Sequence, residues 1–290
     1  SSLEMKKFFG IYNKLVKIYI FFFQYFTEKE YLKYIEKFLI LYCLFFKKKI
    51  DFKFLSQGQS SINTVGDMEA VITKQILRFK ETNVRKTFFL LEIGSYLGNS
   101  IEVLGNILQD HNIDFHILSV DPYLPWNSKE DIKERKIYDT RNKQIEKIYL
   151  YFLHNISLLE YREKIIHIRK PSKQALNFLK EINLSFDFIF IDGSHLYENF
   201  KTDYTLCKDL LFKKNNYIGL LSGDDFEIEF NEFDKIRKDK NAFEKFLVES
   251  KNRDYIISDT GVGFHPGITL FFSEISDKII KFKSGFWHKE

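Results

Sequence analysis

The stretch from Thr87 to Ser100 constrains the fold more than any other part of this 290-residue chain. It begins with a short apolar run that has no helical period, which is typical of a strand buried on both faces. The run ends at Gly94, and a helical pattern of apolar residues follows Gly98. Glycine adopts backbone angles that other residues avoid, and it leaves room for a ligand at a helix start. The segment therefore predicts a strand, a glycine turn and a helix, the opening of a nucleotide-binding α/β unit.

The spacing of the glycines indicates which kind of nucleotide site this is. A dinucleotide fingerprint has glycines at the first, third and sixth positions of the turn, whereas Gly94 and Gly98 lie four residues apart in the pattern E-x-G-x-x-x-G-x-S. This spacing resembles motif I of class I S-adenosylmethionine-dependent methyltransferases, in which the glycine turn faces the methionine half of the cofactor. The alternative is a purely architectural turn, because any α/β protein can join a strand to a helix through glycines.

Composition limits the choice of partner and compartment. Residues 1–86 carry 16 basic and 8 acidic side chains, a net charge of +8, whereas the remainder carries 28 and 32, a net charge of −4. A protein that binds nucleic acid tightly has its basic patch around the site, so we expect no nucleic-acid partner. The two cysteines, Cys43 and Cys207, match no metal-binding spacing, and they predict a reduced, cytoplasmic protein.

The length predicts one α/β domain of about 200 residues with an appendage. We expect residues 1–4, which precede Met5, to be an addition to the natural chain. Residues 5–56 form the appendage, which is basic, aromatic and helical in pattern. The polar stretch Ser56 to Thr64 predicts a connector, and residues 65–290 form the larger domain.

Three interpretations of the appendage remain open. Its helices pack on the larger domain or on a second subunit, or they lie on a membrane surface, or they span the membrane. The apolar run Phe38 to Phe46 is only nine residues long, which is too short for a span. Packing is favoured, and we expect a homo-oligomer. Peripheral membrane contact through residues 5–55 is the second interpretation.

Two further predicted strands end in candidate ligand-binding residues. Phe115 to Val120 is followed by Asp121, whose carboxylate could accept hydrogen bonds from both hydroxyls of a ribose. The alternative is an exposed loop aspartate. The next strand, Ile165 to Ile168, leads to Ser172, which caps the following helix, lies near an adenine, or does both. Trp126 either packs in its loop or lies against a ligand.

Acidic residues follow two more predicted strands. Phe186 to Ile191 ends in Asp192, and Tyr217 to Leu221 leads to Asp224 and Asp225. Ligands bind at the carboxyl ends of strands in open α/β sheets. Three unpaired carboxylates would repel one another unless a divalent cation, a raised pKa or basic partners relieve the repulsion. Oxygen donors favour Mg²⁺, which would also lower the pKa of a bound hydroxyl. The alternative is that Asp224 or Asp225 only caps the next turn.

His195 is the candidate general base. It lies three residues after Asp192, so both side chains can point into one cleft. An imidazole titrates near neutrality and could take a proton from the substrate. The base could equally be the metal-bound Asp192, with His195 in a structural role.

The end of the chain is harder to interpret. Charged residues 227–240 precede a helical pattern, and strands are predicted at Tyr255 to Ser258 and Ile268 to Phe272. Between those strands lies a glycine-rich hairpin over residues 261–267. His265 in this hairpin could reach over the site, but a plain turn is slightly favoured.

Residues 87–226 resemble the Methyltransf_24 branch of class I methyltransferases, which is related to macrolide and cephalosporin tailoring O-methyltransferases. The resemblance rests on LLEIGSYLGNS, SVDPY, FDFIFIDGSHLYENFKTDY and LLSGDDF, which span about half of the chain. It implies a Rossmann-like fold with a seven-stranded, mostly parallel sheet and helices on both faces. It also implies that Mg²⁺ is held by Asp192, Asp224 and Asp225.

The resemblance further implies which residues surround the cofactor. The expected S-adenosylmethionine contacts are Glu92, Gly94, Ser95, Gly98, Ser100, Asp121, Ser172 and Asp192.

The expected function is transfer of a methyl group to a hydroxyl of a small molecule, preferably a sugar or glycan precursor by family analogy. One alternative is a silent methyltransferase-fold protein that acts in binding or assembly, although the intact acidic triad argues against it. The other is a membrane-surface enzyme with a lipid-linked acceptor.

Overall fold

The computed structural model describes residues 28–51, 64–125, 132–227, 230–257 and 263–290. The chain divides into two compact units, Ser1–Gln59 and Ser60–Glu290. This division falls within the predicted connector Ser56 to Thr64, of which only Thr64 is described. The helical pattern predicted before residue 28 and the loop residue Trp126 also lie outside the described residues.

The first unit contributes helix α1, Glu28–Phe45. One face of α1 is buried through Glu36, Ile40 and Cys43, which recur at helical spacing. Within the described part of the chain, no helix combines the length and the hydropathy that crossing a membrane requires.

The second unit is built around a mixed sheet. Its strands are β1 Phe88–Ile93, β2 Phe115–Val120, β3 Ile165–Ile168, β4 Phe188–Ile191, β7 Leu220–Gly223, β10 Ile279–Lys281 and β11 Trp287–Lys289. Two small hairpins pair β5 Lys213–Lys214 with β6 Tyr217–Ile218, and β8 Ile256–Ile257 with β9 Gly263–Phe264.

The helices of this unit form two groups. They are α2 Val65–Thr82, α3 Asn99–Asp110, α4 Ile132–Ser157, α5 Ser172–Glu181, α6 Tyr197–Asp209, α7 Phe230–Lys238, α8 Lys240–Asn252 and α9 Pro266–Glu274. Helices α2 and α3 contact each other, and α5, α8 and α9 each contact α6.

The strand order β10-β11-β7-β4-β1-β2-β3 confirms the predicted Rossmann-like fold. The strands from β7 to β3 pair in parallel, and β11 is antiparallel to both of its neighbours. The chain runs outward from β1 to β3 and then returns to β4 on the other side of β1. A crevice forms where the strand order reverses in this way, and ligands of open α/β sheets bind there.

The prediction of a strand over Ile268 to Phe272 is wrong, because these residues lie in helix α9. All positions from Pro266 to Phe272 are buried, so the segment is apolar on every side and shows neither a helical nor a strand period. Pro266 occupies the first turn of the helix, a position that proline favours. The glycine-rich segment before it therefore leads into a helix, and the last strands of the sheet are β10 and β11.

The C-terminal hairpin supports the loop that follows β7. Gly285 has a φ of +97°, and its carbonyl accepts a hydrogen bond of 2.9 Å from the N–H of Phe226. The indole Nε1 of Trp287 donates to the carbonyl of Asp224 at 3.0 Å. The last twelve residues thus fix the backbone on both sides of Asp225.

Helix α9 packs directly on the loop that carries His195. A Cβ atom at Gly267 would lie 2.2 Å from the carbonyl oxygen of His195 and 2.5 Å from the nitrogen of Tyr197. Only glycine allows this approach, and the approach brings His265 close to His195.

We predict that Gly267→Ala destabilises the protein by about 1–3 kcal/mol, because the added methyl overpacks against backbone atoms that cannot move independently. Gly66→Ala is the matched control, since Gly66 is also the second residue of a helix and a Cβ there meets nothing within 4 Å. It should be neutral or should stabilise the protein by up to about 1 kcal/mol. Urea unfolding measures both variants, and equal effects would contradict the proposed packing.

Candidate active site

The glycine turn after β1 lies against the end of β4. Gly94 has a φ of +86°, and a Cβ atom at this position would lie 1.9 Å from the carbonyl oxygen of Asp192. Gly98 has a φ of +81° and precedes the first residue of α3. These two positions require glycine because of their left-handed backbone, and at Gly94 also because of the close approach. The turn therefore lies beside the acidic loop after β4.

Asp121 braces this turn. Its Oδ2 atom accepts hydrogen bonds from the N–H groups of Ser95 at 3.0 Å and Tyr96 at 3.2 Å, and its Oδ1 accepts one from Tyr123 at 2.8 Å. The hydroxyl of Ser95 is buried 2.5 Å from that of Ser119. The polar groups of Asp121 and Ser95 thus have partners within the protein, and their contacts with a cofactor stay predictions.

Glu92 is fully buried at the end of β1. Its Oε1 atom accepts a hydrogen bond from the hydroxyl of Ser100, whereas Oε2 has no partner in the described part of the chain. Burial raises the pKa of Glu92 to about 8. A buried polar atom without a partner is uncommon in proteins. A donor group on a ligand at the glycine turn would satisfy it, so Glu92 fits the predicted cofactor site.

Ser172 does not cap helix α5, so that interpretation is wrong. Pro171 is the residue before the first helical position, and Ser172 is the first helical residue itself. Its hydroxyl instead lowers the pKa of the Asp203 carboxyl group on α6. Asp203 is buried, and desolvation raises its pKa to about 7.

Carboxylates and imidazoles converge beyond the ends of β4 and β7. The Nε2 atom of His195 lies 3.7 Å from Oδ1 of Asp192 and 3.0 Å from Oδ2 of Asp225. The imidazole rings of His195 and His265 have centroids 4.3 Å apart. The structure thus brings together the two predicted catalytic residues, and it adds His265 to them.

Glu227 and Asp254 complete this cluster, and sequence reasoning missed both. Glu227 accepts hydrogen bonds from the N–H of His265 at 3.2 Å and approaches its Nδ1 at 2.7 Å. Asp254 approaches Nδ1 of His195 at 3.2 Å. Glu227 lies in a charged segment and Asp254 lies next to one, and such segments are typical of solvent-exposed surface. Neither segment contains a motif that indicates a functional acid.

The structure relieves the predicted repulsion among the acids in two of the three expected ways. Desolvation, together with the charges of Asp225 and Asp192, raises the pKa of Asp224 to about 8. Burial alone would raise the pKa of Asp225, but the imidazoles of His265 and His195 outweigh it and lower the pKa to about 2. Both a raised pKa and basic partners are therefore present.

The cluster could also hold a divalent cation, which is the third expected way to relieve the repulsion among the acids. The ligand atoms of Asp192, His195 and Asp225 all lie within 4.8 Å of one another. The Nε2 atom of His195 is buried and, although it lies near Asp225, it has no aligned hydrogen bond. The Asp192 side chain is 38% exposed, so a ligand can reach it. Asp224 lies outside this group of ligand atoms, and its Oδ1 accepts a hydrogen bond of 2.8 Å from the N–H of Asp225.

The raised pKa of Glu92 predicts a pH-dependent stability. The ordinary pKa is 4.5 and the folded value is about 8, so the folded chain binds the extra proton between these values. This contribution is full below about pH 4.5 and is lost as the pH rises through about 8. Over this pH range the wild type should lose on the order of 3–5 kcal/mol of its free energy of unfolding. The Glu92→Gln variant should not show this loss. Urea unfolding of ligand-free protein across this range tests it, and parallel curves for both proteins would contradict it.

Three solved structures that resemble this chain are distant from it in sequence. NovP, an O-methyltransferase, is 16% identical with a TM-score of 0.44, covering 79% of this chain and 80% of its own. MycE, a methyltransferase of the mycinamycin pathway in complex with Mg and S-adenosylhomocysteine, is 12% identical with a TM-score of 0.38, covering 81% and 55%. A methyltransferase from Agrobacterium tumefaciens is 12% identical with a TM-score of 0.36, covering 58% and 48%. A search of curated proteins finds no match.

The family comparison is more specific. Residues 91–225 match the Methyltransf_24 family, described as a methyltransferase domain. The matched range begins within β1 and ends at Asp225, so it includes the glycine turn, Asp121 and the acidic residues after β4 and β7. This segment, slightly less than half of the chain, therefore matches the methyltransferase domain of the Methyltransf_24 family and supports the expected S-adenosylmethionine-dependent methyltransferase.

Proposed function

We propose that this domain transfers the methyl group of S-adenosylmethionine to a hydroxyl group of a small molecule, with Mg²⁺ at the acidic cluster. The observation that carries the proposal is the convergence of Asp192, His195 and Asp225 beside the glycine turn. We assign Asp192 and Asp225 to the cation, since Mg²⁺ prefers oxygen donors. We also assign Asp224 to it as the third predicted carboxylate, although Asp224 lies outside the group of ligand atoms that converge. We propose that Nε2 of His195 accepts the proton of the acceptor hydroxyl.

The protein needs only to position the acceptor oxygen in line with the methyl group and to remove one proton, because the sulfonium already activates the methyl group. The cation would lower the pKa of the acceptor hydroxyl. Burial alone would lower the pKa of His195, but Asp254 and Asp225 outweigh it and raise that pKa well above its ordinary value. A cation that neutralises Asp225 would weaken this effect and free Nε2 to accept a proton.

A sugar or glycan precursor is the acceptor class that we propose, and its support is the family resemblance alone. The net negative charge of residues 87–290 disfavours nucleic acid. The cytoplasmic location and the homo-oligomeric state stay predictions.

The first test is calorimetric titration of the full chain with S-adenosylmethionine and S-adenosylhomocysteine, with and without Mg²⁺. We expect micromolar binding of both. The titration is paired with radiolabelled methyl transfer to a panel of sugars and sugar nucleotides. Absence of binding in every condition would overturn the proposed function.

For Asp224→Asn we expect methyl transfer to fall at least about 100-fold while cofactor affinity changes little. The reason is that even residues behind a metal ligand contribute 10- to 100-fold. Asp239→Asn is the control, because Asp239 is exposed and caps the start of α8. An Asp224→Asn variant that keeps the full rate would remove Asp224 from the proposed metal ligands.

Helix α1 supports a second proposal, a membrane-surface enzyme with a lipid-linked acceptor. Tyr34, Phe38, Leu41 and Phe45 recur at helical spacing and are 54%, 54%, 65% and 81% exposed. The basic residues 47–49 follow one residue after the end of the helix. An aromatic stripe beside lysines is typical of helices that lie on anionic membranes.

Co-sedimentation with vesicles tests this second proposal. We expect the full chain to bind vesicles that contain phosphatidylserine more tightly than phosphatidylcholine vesicles, and less tightly at high salt. The double substitution Phe38→Ser and Phe45→Ser should weaken this binding at least about tenfold. The control is Leu150→Ser on α4, which removes an apolar side chain that is 61% exposed elsewhere. Equal sedimentation of all three proteins would favour protein packing instead.

A further inference from the structure

Asp254 lies between α8 and β8, outside the segment that matches the methyltransferase family. It is 5% exposed. Its Oδ1 atom accepts a hydrogen bond of 3.1 Å from the backbone N–H of His195, and its Oδ2 lies 3.2 Å from Nδ1 of the same residue. One buried carboxylate therefore holds both the backbone and the ring of His195.

This arrangement decides which ring nitrogen carries a proton. A carboxylate offers only acceptors, so Nδ1 of His195 must be the donor. In the neutral ring the lone pair then lies on Nε2. That atom faces Asp192 at 3.7 Å and Asp225 at 3.0 Å, and it is buried without an aligned hydrogen bond. The nitrogen that can accept a proton therefore points at the reaction site.

We propose that Asp254 is the positioning residue for His195: it fixes the Nδ1–H tautomer and directs Nε2 to the acceptor. The catalytic consequence rests on the proposed function, whereas the tautomer does not. A base held by a third group in this way is a recurring arrangement in enzymes that remove protons.

A second pair in the same cluster repeats the arrangement. Glu227 accepts from the backbone N–H of His265 at 3.2 Å and lies 2.7 Å from its Nδ1. The two imidazole rings are 4.3 Å apart. A carboxylate needed only to anchor the loop would require the backbone contact alone, yet both acids also engage a ring nitrogen. The orientation of the imidazoles is therefore a feature that both acids control.

Two substitutions separate positioning from simple structural support. Asp254→Asn can keep the hydrogen bond to the backbone of His195, but it places an amide N–H against Nδ1 and so favours the Nε2–H tautomer. Asp254→Ala removes both contacts without imposing a tautomer. The proposal expects Asp254→Asn to be at least as impaired in methyl transfer as Asp254→Ala. A structural role expects the reverse order, with Asp254→Asn close to wild type, and that result would overturn the proposal.

The tautomer itself can be measured without any acceptor. The full chain is labelled with ¹⁵N-histidine, the His195 signals are assigned with His195→Gln, and ¹⁵N–¹H spectra are recorded at increasing pH until one ring nitrogen of His195 has lost its proton. We expect Nδ1 to carry the proton in the wild type and Nε2 to carry it in Asp254→Asn. Asp239→Asn, the exposed control, should match the wild type. A wild-type spectrum with the proton on Nε2, or an unchanged spectrum in Asp254→Asn, would overturn the assignment.

Kinetics with an acceptor found in the panel complete the test. We expect Asp254→Asn to lower kcat about 10- to 100-fold, the usual cost of losing a group that orients another. KM and the Kd for S-adenosylmethionine should stay unchanged. An altered tautomer with an unchanged kcat would refute the catalytic role of Asp254. Absence of cofactor binding in every protein would instead refute the proposed function, and the spectra would still report on the tautomer.

Discussion

Like charges can be buried together only when something compensates them, and the active site is organised around this constraint. Asp192, Asp224 and Asp225 follow neighbouring strands, so the parallel sheet brings them to one edge. His195 and His265 lie between these acids and others behind them, and the charges of the two rings keep Asp225 ionised. Binding of a cation would change this balance, because it would take over the compensation that the imidazoles now provide.

The sheet alone does not build this site. Parallel pairing of β1 and β4 sets the glycine turn against the backbone of Asp192, but the imidazole cluster depends on the last third of the chain. Helix α9 packs through Gly267 on the loop of His195, and the terminal hairpin holds the backbone around Asp225 through Trp287. The matched family segment thus supplies the acids, and the residues that follow it supply the second imidazole and the carboxylates behind the rings.

Sequence patterns predicted well where one local rule was sufficient. The buried parallel strands, the glycine turn and the acids at strand ends all follow from short apolar runs and the residues that end them. Sequence patterns gave a wrong prediction for α9, because a segment that is buried on every side shows neither a helical nor a strand period. They also failed for the role of Ser172, because the position of a cap depends on where Pro171 ends the extended backbone.

The sequence by itself determined the class of fold and the place of the acids, because these depend on contacts between residues close in the chain and on the register of a parallel sheet. Only the tertiary structure decided how His195 is held. Asp254 lies 59 residues after His195, and no periodicity or motif encodes a contact over such a separation. It exists because α8, α9 and the terminal hairpin pack where the two strands end, and packing of distant segments is a property of the whole core.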